Sequence, residues 1–363
     1  MKKLNVAIIG QGRSGANIHG KFLSSDENTK FNVIAVVDAI EDRREKAKNL
    51  YGCEVFESYT DLFVLKDQLD LVINASFSHH HYPITLDLIE HGFNVLVEKP
   101  FSRTYEECLH LTERAEANGV KLFVFHQTLV TPSYLKIKEI VNSGILGEIT
   151  HINFAYSGFS HRWDWQTLQA CVGGSLYNSG PHPLGHAMDL LGWDERTEVA
   201  YSEMKAVNTY GDAEDFAHLI LRAPGKPSIE LEVSCCDAQS SYVYKVQGSL
   251  GTLTASHSHY KLIYITPGEF EPKEVTAEPL CDENGNPAYC SEKLQRHEIE
   301  EDIVGTSFDS AVKTYYEAAY RTLTEVGEYI VEPRDAALVI KIIEKCHADN
   351  PLPILYSEKG EKI

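Results

Sequence analysis

Residues 4–15 read LNVAIIGQGRSG. An apolar run, Leu4 to Ile9, stops at a cluster of glycines, and a helix-like stretch around Ala16–Leu23 follows. Gly10, Gly12 and Gly15 are spaced G-x-G-x-x-G. Alone that spacing is a weak signal. Between a strand and a helix it is the turn on which the pyrophosphate of a dinucleotide rests. Gly10 permits the tight turn, Gly12 lets the backbone approach the phosphates, and Gly15 lets helix and strand pack closely. Gln11, Arg13 and Ser14 complete the loop. The first N–H groups of the helix, at the positive end of its dipole, face the same anion.

The next strand-like segment supports this reading. Phe31–Val37 is rich in β-branched residues and ends at Asp38. A carboxylate there accepts hydrogen bonds from the adenosine ribose and repels the additional phosphate of NADP. NAD(H) is therefore the expected cofactor. Arg43 and Arg44 follow closely, which leaves NADP(H) open.

Outward from this turn, strand and helix patterns alternate. Arg43–Tyr51 reads as helix, Asp70–Ala75 as strand, Pro83–His91 as helix, and Asn94–Val97 as strand. Tyr105–Asn118 is helical and closed by Gly119, and Lys121–Phe125 is a further strand. This alternation predicts parallel β-α-β units in a doubly wound sheet, an α/β Rossmann domain over residues 1–127. Tyr134–Asn142 is a helix that stops near Gly144. Beyond it the pattern turns strand-rich, with Ile149–Tyr156, Phe216–Arg222, Ile229–Cys235, Val243–Gln247 and Lys261–Ile265. Strands at this spacing predict a large, open, mainly antiparallel sheet in an α+β domain over 128–363. Glu269–Ser291 is polar and reads as a surface excursion. Phe308–Leu323 and Arg334–His347 read as late helices.

Composition narrows the function classes. Apolar residues make up 43% and the formal net charge is −20. A nucleic-acid surface must be basic to displace counterions from phosphates, so no nucleic-acid partner is expected. An anionic membrane surface is disfavoured for the same reason. The apolar run at the N-terminus is too short for a secretory signal, and no stretch approaches a membrane span. A cytoplasmic location is expected. The eight cysteines are scattered without a C-x-x-C pair, which reads as free thiols and no structural zinc.

In "VLVEKP", Val95–Pro100, a lysine stands just past a parallel strand, where ligands bind in such sheets. Lys99 is thus a candidate for the chemistry. Here the chain resembles the Gfo/Idh/MocA family of NAD(P)-dependent oxidoreductases. The resemblance is carried by GQGRSG, by "INASFSHHHYPITLDLIEHGFNVLVEKPFSRTYEEC", by "SGILGEI" and by "GGSLYNSGPHPLGHAMDLLG" at 173–192. "YKVQGSLGTLTA" and "YYEAAYRTL" match as well. It implies that Lys99 orients the substrate, that His182 is the acid/base residue, and that Ser76, His81 and Glu98 line the nicotinamide end of the cofactor site. It also implies a homodimer or homotetramer built through the C-terminal sheet. The chain departs from the family pattern at Asn178 and Gly185, where aspartate is usual, and at Leu129, where arginine is common.

His182 has the chemistry for the role. Imidazole titrates near working pH, and the Lys99 ammonium favours its neutral, basic form. The same ammonium can stabilise a developing alkoxide. Asn178 can position His182 or a substrate hydroxyl, but it carries no charge. His182 and His186 at i and i+4 could share a metal, yet no third ligand stands at a recognisable spacing, so no metal is expected. His186 is a secondary candidate, at the substrate end or as a packing residue. His126 and Gln127 end a strand near the expected cleft, Gln127 on the cofactor side. Tyr156, Arg162, Trp163 and Trp165 are substrate candidates, because aromatic faces stack on sugar rings and arginine pairs with anions. The expected activity is NAD(P)-dependent interconversion of a secondary alcohol and a ketone or aldehyde on a sugar, polyol or sugar derivative. A glycoside-cleaving enzyme with tightly held NAD and a non-catalytic NAD-binding regulator are the alternatives.

Overall fold

The strand β1 (Leu4–Ile9) is covered on both faces, so its side chains are apolar at almost every position. Val6 and Ile8 face one core, and Ala7 and Ile9 face the other. The computed structural model describes residues 3–271, 273–290, 292–305, 308–325 and 327–363. A helix, α1, follows the glycine turn, π-wound over Gly15–Gly20 and α-helical over Lys21–Leu23. The strands β2 (Phe31–Val37), β3 (Glu54–Phe56), β4 (Leu71–Asn74), β5 (Val95–Val97) and β6 (Leu122–Val124) complete the first sheet. All its pairs are parallel, and its order is β3-β2-β1-β4-β5-β6. That is the doubly wound order of a Rossmann domain, with its switch point between β1 and β4. The connecting helices are α2 (Glu41–Tyr51), α3 (His81–Glu90) and α4 (Tyr105–Asn118). A capping box between Thr104 and Glu107 fixes where α4 begins.

The second sheet has eight strands. They are β7 (Ile149–Ser157), β8 (Glu198–Lys205), β9 (Phe216–Arg222), β10 (Ser228–Ser234), β11 (Tyr244–Gly248), β12 (Gly251–Ala255), β13 (His259–Tyr264) and β14 (His297–Asp302). The order is β14-β13-β12-β11-β7-β10-β9-β8, antiparallel except for β7 against β10. Ile152, Phe154, Leu231 and Val246 point inward at 0–1% exposure. Burying one such side chain fully is worth about 1.5–3 kcal/mol. They pack against α5 (Pro132–Asn142) and α7 (Pro181–Leu190), which follows the short α6 (Ser175–Asn178). The outward positions alternate with these and are polar: His151 and His218 flank Glu230 at 3.1 and 2.8 Å.

Four observed strands, β3, β8, β12 and β14, are absent from the sequence expectation. Three of them are sheet edges. An edge strand needs only a partly apolar face, so EVAYSEMK and HEIEED carry charges where a central strand would carry valine. Residues 273–290 are exposed, as expected of the polar excursion, whose last residue, Ser291, lies outside the described residues.

The late helices are α8 (Phe308–Thr324) and α9 (Pro333–Asp349). α8 packs on the first sheet: Val312, Tyr315, Tyr316 and Ala319 share a core with Val6, Ile8 and Phe125. Tyr315 donates to the Val124 carbonyl at 2.5 Å. α9 packs against α4, α7 and β8, and so bridges the two sheets. Among the described residues no helix is long and apolar enough to cross a membrane.

Candidate active site

The glycine turn is shaped by two close approaches and one open side. Gly10 has φ +88°, and a Cβ there would stand 2.4 Å from the Ala75 carbonyl oxygen. A Cβ on Gly15 would stand 1.8 Å from the Gly10 carbonyl oxygen. A Cβ on Gly12 meets nothing within 4 Å, because Gly12 faces an open cavity. At the end of β2, Asp38 Oδ2 accepts the Gln11 N–H at 2.7 Å, and Oδ1 accepts the Ile40 N–H at 2.9 Å. Arg43 Nη1 lies 3.5 Å from Asp38 Oδ2.

The cavity, about 950 Å³, runs from Asp38, past Gly12, Arg13, Ser14 and Ser76, to Lys99, Asn178 and His182. Its residues fit a dinucleotide. Gly12 leaves the space a pyrophosphate needs, and Asp38 sits where a ribose would hydrogen-bond. Gln127 lines the wall with a buried Oε1 that has no hydrogen-bond partner among the described residues, an acceptor suited to a carboxamide N–H.

At the other end, Lys99 follows β5 directly. Its Nζ donates to the Asn178 backbone carbonyl at 2.7 Å, tying the first domain to the end of α6. Burial lowers the Lys99 ammonium below its ordinary range; Glu98 opposes this, and Arg13 and Arg162 add to it. Glu98 is buried with Oε1 3.3 Å from His19 Nε2 and Oε2 accepting the Lys99 N–H at 3.0 Å. Burial pushes its carboxyl up, but His19, Lys99 and His81 outweigh that and hold it below the usual value. His19 Nδ1 in turn meets the Tyr316 hydroxyl of α8 at 2.7 Å. The site is thus braced from the far end of the chain.

His182 lies on the cavity wall, with Nδ1 3.2 Å from the Thr128 hydroxyl. Burial and then the Lys99 ammonium hold its pKa well below the ordinary histidine value, so it is neutral near pH 7. With Nδ1 occupied by Thr128, Nε2 remains for a proton transfer. The arrangement can therefore take a proton from, or return one to, an oxygen placed between His182 and Lys99.

Comparison with known proteins places the chain in a family. Residues 4–126 match the family described as "Oxidoreductase family, NAD-binding Rossmann fold". Residues 134–254 match the "GFO/IDH/MocA C-terminal domain". The chain belongs to the Gfo/Idh/MocA oxidoreductase family. Among its relatives is a 2,7-anhydro-N-acetylneuraminate hydratase from Mediterraneibacter gnavus, 24% identical over 70% of this chain and 67% of that protein. Another is the scyllo-inositol 2-dehydrogenase (NADP(+)) IolW of Bacillus subtilis, 26% identical over 60% of this chain and 59% of its own length. In fold it is similar to the oxidoreductase YvaA of Bacillus subtilis, with a TM-score of 0.77, 21% identity, and 98% of both chains covered.

Within this Gfo/Idh/MocA chain the residues singled out from the sequence fall into two groups. Gly10, Gly12, Arg13, Ser14, Asp38 and Arg43 line the cofactor half of the cavity. Ser76, Glu98, Lys99, Gln127, Trp165, Asn178 and His182 line the rest. The others do not line it: Arg162, expected at the substrate, is instead paired with Asp164 on a loop of the second domain. Gln11 gives its backbone N–H to Asp38 and its side-chain amide to the Gly10 carbonyl, and Gly15 packs under the turn. His81 is buried, with Nδ1 2.7 Å from the Pro100 carbonyl and Nε2 3.2 Å from the Ser76 carbonyl, so it ties the two loops together. His186 is fully buried: its ring stacks on Tyr134 at 3.9 Å and its Nε2 meets the Thr128 carbonyl at 3.0 Å. It therefore supports the Thr128 segment and does not reach the cavity. Tyr156 lies with it, its hydroxyl 2.9 Å from that of Tyr244. His126 is 1% exposed, and its Nδ1 has no hydrogen-bond partner among the described residues. It fills the space beside Gly185, where a Cβ would come within 3.2 Å of that nitrogen. Trp163 is 79% exposed, away from the site.

Sequence reasoning missed Phe77, Gln166 and Ser179 on the wall, whereas His80, read as a loop residue beside the cofactor, lines it. Phe77 follows β4 at the carboxyl edge of the sheet, a position that could have marked it. Phe77 meets Trp165 edge-on at 4.8 Å, joining the two domains across the cavity.

Proposed function

We propose that this chain is an NAD(H)-dependent dehydrogenase or reductase interconverting a secondary alcohol and a carbonyl on a sugar, polyol or sugar derivative. One observation carries the reading: Lys99, neutral His182 and Asn178 meet at the end of the cavity that the glycine turn and Asp38 open. In the oxidative direction His182 Nε2 takes the hydroxyl proton while Lys99 holds the oxygen as charge builds on it. Bound nicotinamide supplies the acceptor for the hydride that leaves the same carbon. In the reductive direction His182 returns the proton to the oxygen. The naming of IolW as an inositol dehydrogenase supports the substrate class. Asp38 supports NAD(H) over NADP(H), since its carboxylate stands where the additional phosphate would lie. By the same reading, a second copy of the chain docks on the outer face of the eight-stranded sheet.

The test is a panel of sugars and polyols with NAD and NADP, run on the wild type, Lys99→Ala and His182→Ala. Each substitution is expected to lower kcat by about 10²–10⁴ with cofactor binding retained. Activity that survives both would sink the proposal. The relative named as a hydratase favours one further reading, in which the cofactor stays bound and is recycled while the sugar undergoes elimination or addition. Product formed without any net NADH would select that reading over the first.

A further inference from the structure

Four polar side chains form a line from a surface loop of the second domain to the reacting end of the cavity. Asp164 holds the Arg162 guanidinium in a two-pronged pair, Nε to Oδ2 at 2.9 Å and Nη2 to Oδ1 at 2.9 Å. Arg162 Nη2 also donates to Gln166 Oε1 at 2.6 Å, and Gln166 Nε2 donates to Asn178 Oδ1 at 2.8 Å. A guanidinium has donors and no acceptor. Gln166 must therefore turn its oxygen to Arg162 and its NH₂ to Asn178. Asn178 must in turn give its oxygen to Gln166. Either amide flipped would set donor against donor. The Asn178 NH₂ is the end left over, without a hydrogen-bond partner among the described residues, on the cavity wall beside Lys99 and His182.

The polarity of the reacting end follows. Lys99 and the Asn178 side chain both offer hydrogens there. The carboxylates of the wall are placed elsewhere. Asp38 and Glu57 lie beyond β2 and β3, and Glu98 is turned to His19 and the Lys99 N–H. Arg162 stands two residues behind Asn178 in the line, with Gln166 between them.

We infer that Asn178 is a specificity-determining donor, held in that role by Arg162 and Gln166, and that the substrate bears a carboxylate beside the carbon that reacts. The substrate is then an acid of a sugar or polyol rather than a neutral one. A carboxylate oxygen facing Lys99 and the Asn178 NH₂ gains charge-assisted hydrogen bonds. An aspartate at this position would repel it and hold a hydroxyl instead. The inference rests on the oxidoreductase reading of the same site.

The experiment uses D-gluconate and D-glucitol, which differ in a carboxylate against a CH₂OH. NADH binding to the wild type and Asn178→Asp is measured first, by fluorescence. Each polyol is then titrated calorimetrically into the NADH-saturated protein. Wild type is expected to bind gluconate at least about tenfold more tightly than glucitol. Asn178→Asp is expected to lose that preference with NADH affinity unchanged. Glucitol bound as tightly as gluconate, no saturable gluconate binding at millimolar concentration, or a preference that survives Asn178→Asp would each overturn the inference and leave the oxidoreductase reading standing. Failure of the wild type to bind NADH would remove that reading, and the inference with it.

Discussion

Gly12 and Gly15 stand three residues apart in one motif, and the structure separates their roles sharply. A Cβ on Gly15 would lie 1.8 Å from the Gly10 carbonyl oxygen, and Gly10 is itself pinned against Ala75 O, where its own Cβ would come to 2.4 Å. Relief requires α1 to move from β1 by more than an ångström. Overpacking of this kind costs about 1–3 kcal/mol or more, because it strains the backbone of the turn rather than a mobile side chain. Gly12 has nothing within 4 Å of an added Cβ. Gly12→Val should therefore leave folding within about 1 kcal/mol of the wild type, the propensity difference alone. It should still occupy the space that a pyrophosphate needs, and NADH affinity should fall at least about a hundredfold, some 2.7 kcal/mol. Urea melts of the cofactor-free protein measure the first quantity and NADH fluorescence titration the second. Gly15→Ala should shift the melt, and Gly12→Val the titration. Undiminished NADH binding by Gly12→Val, or an unshifted melt for Gly15→Ala, would refute this account of the turn.

Two pH dependences complete the expectations. His182 must be neutral to act as base and Lys99 charged to hold the oxygen. Both pKa values are depressed by burial. The kcat/KM profile for oxidation should hold its acid limb below pH 6.5 and bring its alkaline limb in below 10.5, the ordinary values of the two groups. A limb centred on either ordinary value would contradict the burial argument. Stability should also fall with acid. Burial holds His126 at about 4 and His186 at about 3, against an ordinary 6.5. The folded state favours their neutral forms, so stability is full above pH 6.5, is lost progressively as the pH falls from 6.5 towards those folded values, and the loss levels off below them. For His126 alone that is about 3 kcal/mol by linkage. Urea unfolding between pH 7 and pH 4 measures it, and His186→Phe, which keeps a ring against Tyr134, should flatten the slope. An identical slope in that variant would exclude His186 as a source.

Much of the site was legible in the chain itself. Apolar runs of strand length, glycines where the backbone must turn or touch, an acid closing β2 and a lysine closing β5 are local signals. They act over a few residues, and the parallel alternation then brings their ends to one edge of a sheet. The edge strands β3, β8 and β14 were not legible, because an edge strand needs no continuous apolar run.

The sequence by itself determined the Rossmann half, the dinucleotide turn, Asp38, Lys99 and the position of His182. Only the tertiary structure decided which partners those residues meet. It brings α8 back across some two hundred residues to brace Glu98 through His19 and Tyr316. It puts His126 into the space beside Gly185 and withdraws His186 behind Thr128. It also lays Arg162 and Gln166 against Asn178, so that a donor rather than an acceptor faces the cavity. Each of these depends on the direction of a hydrogen bond or the filling of a void between segments distant in the chain. Local periodicity has no means of encoding such a contact.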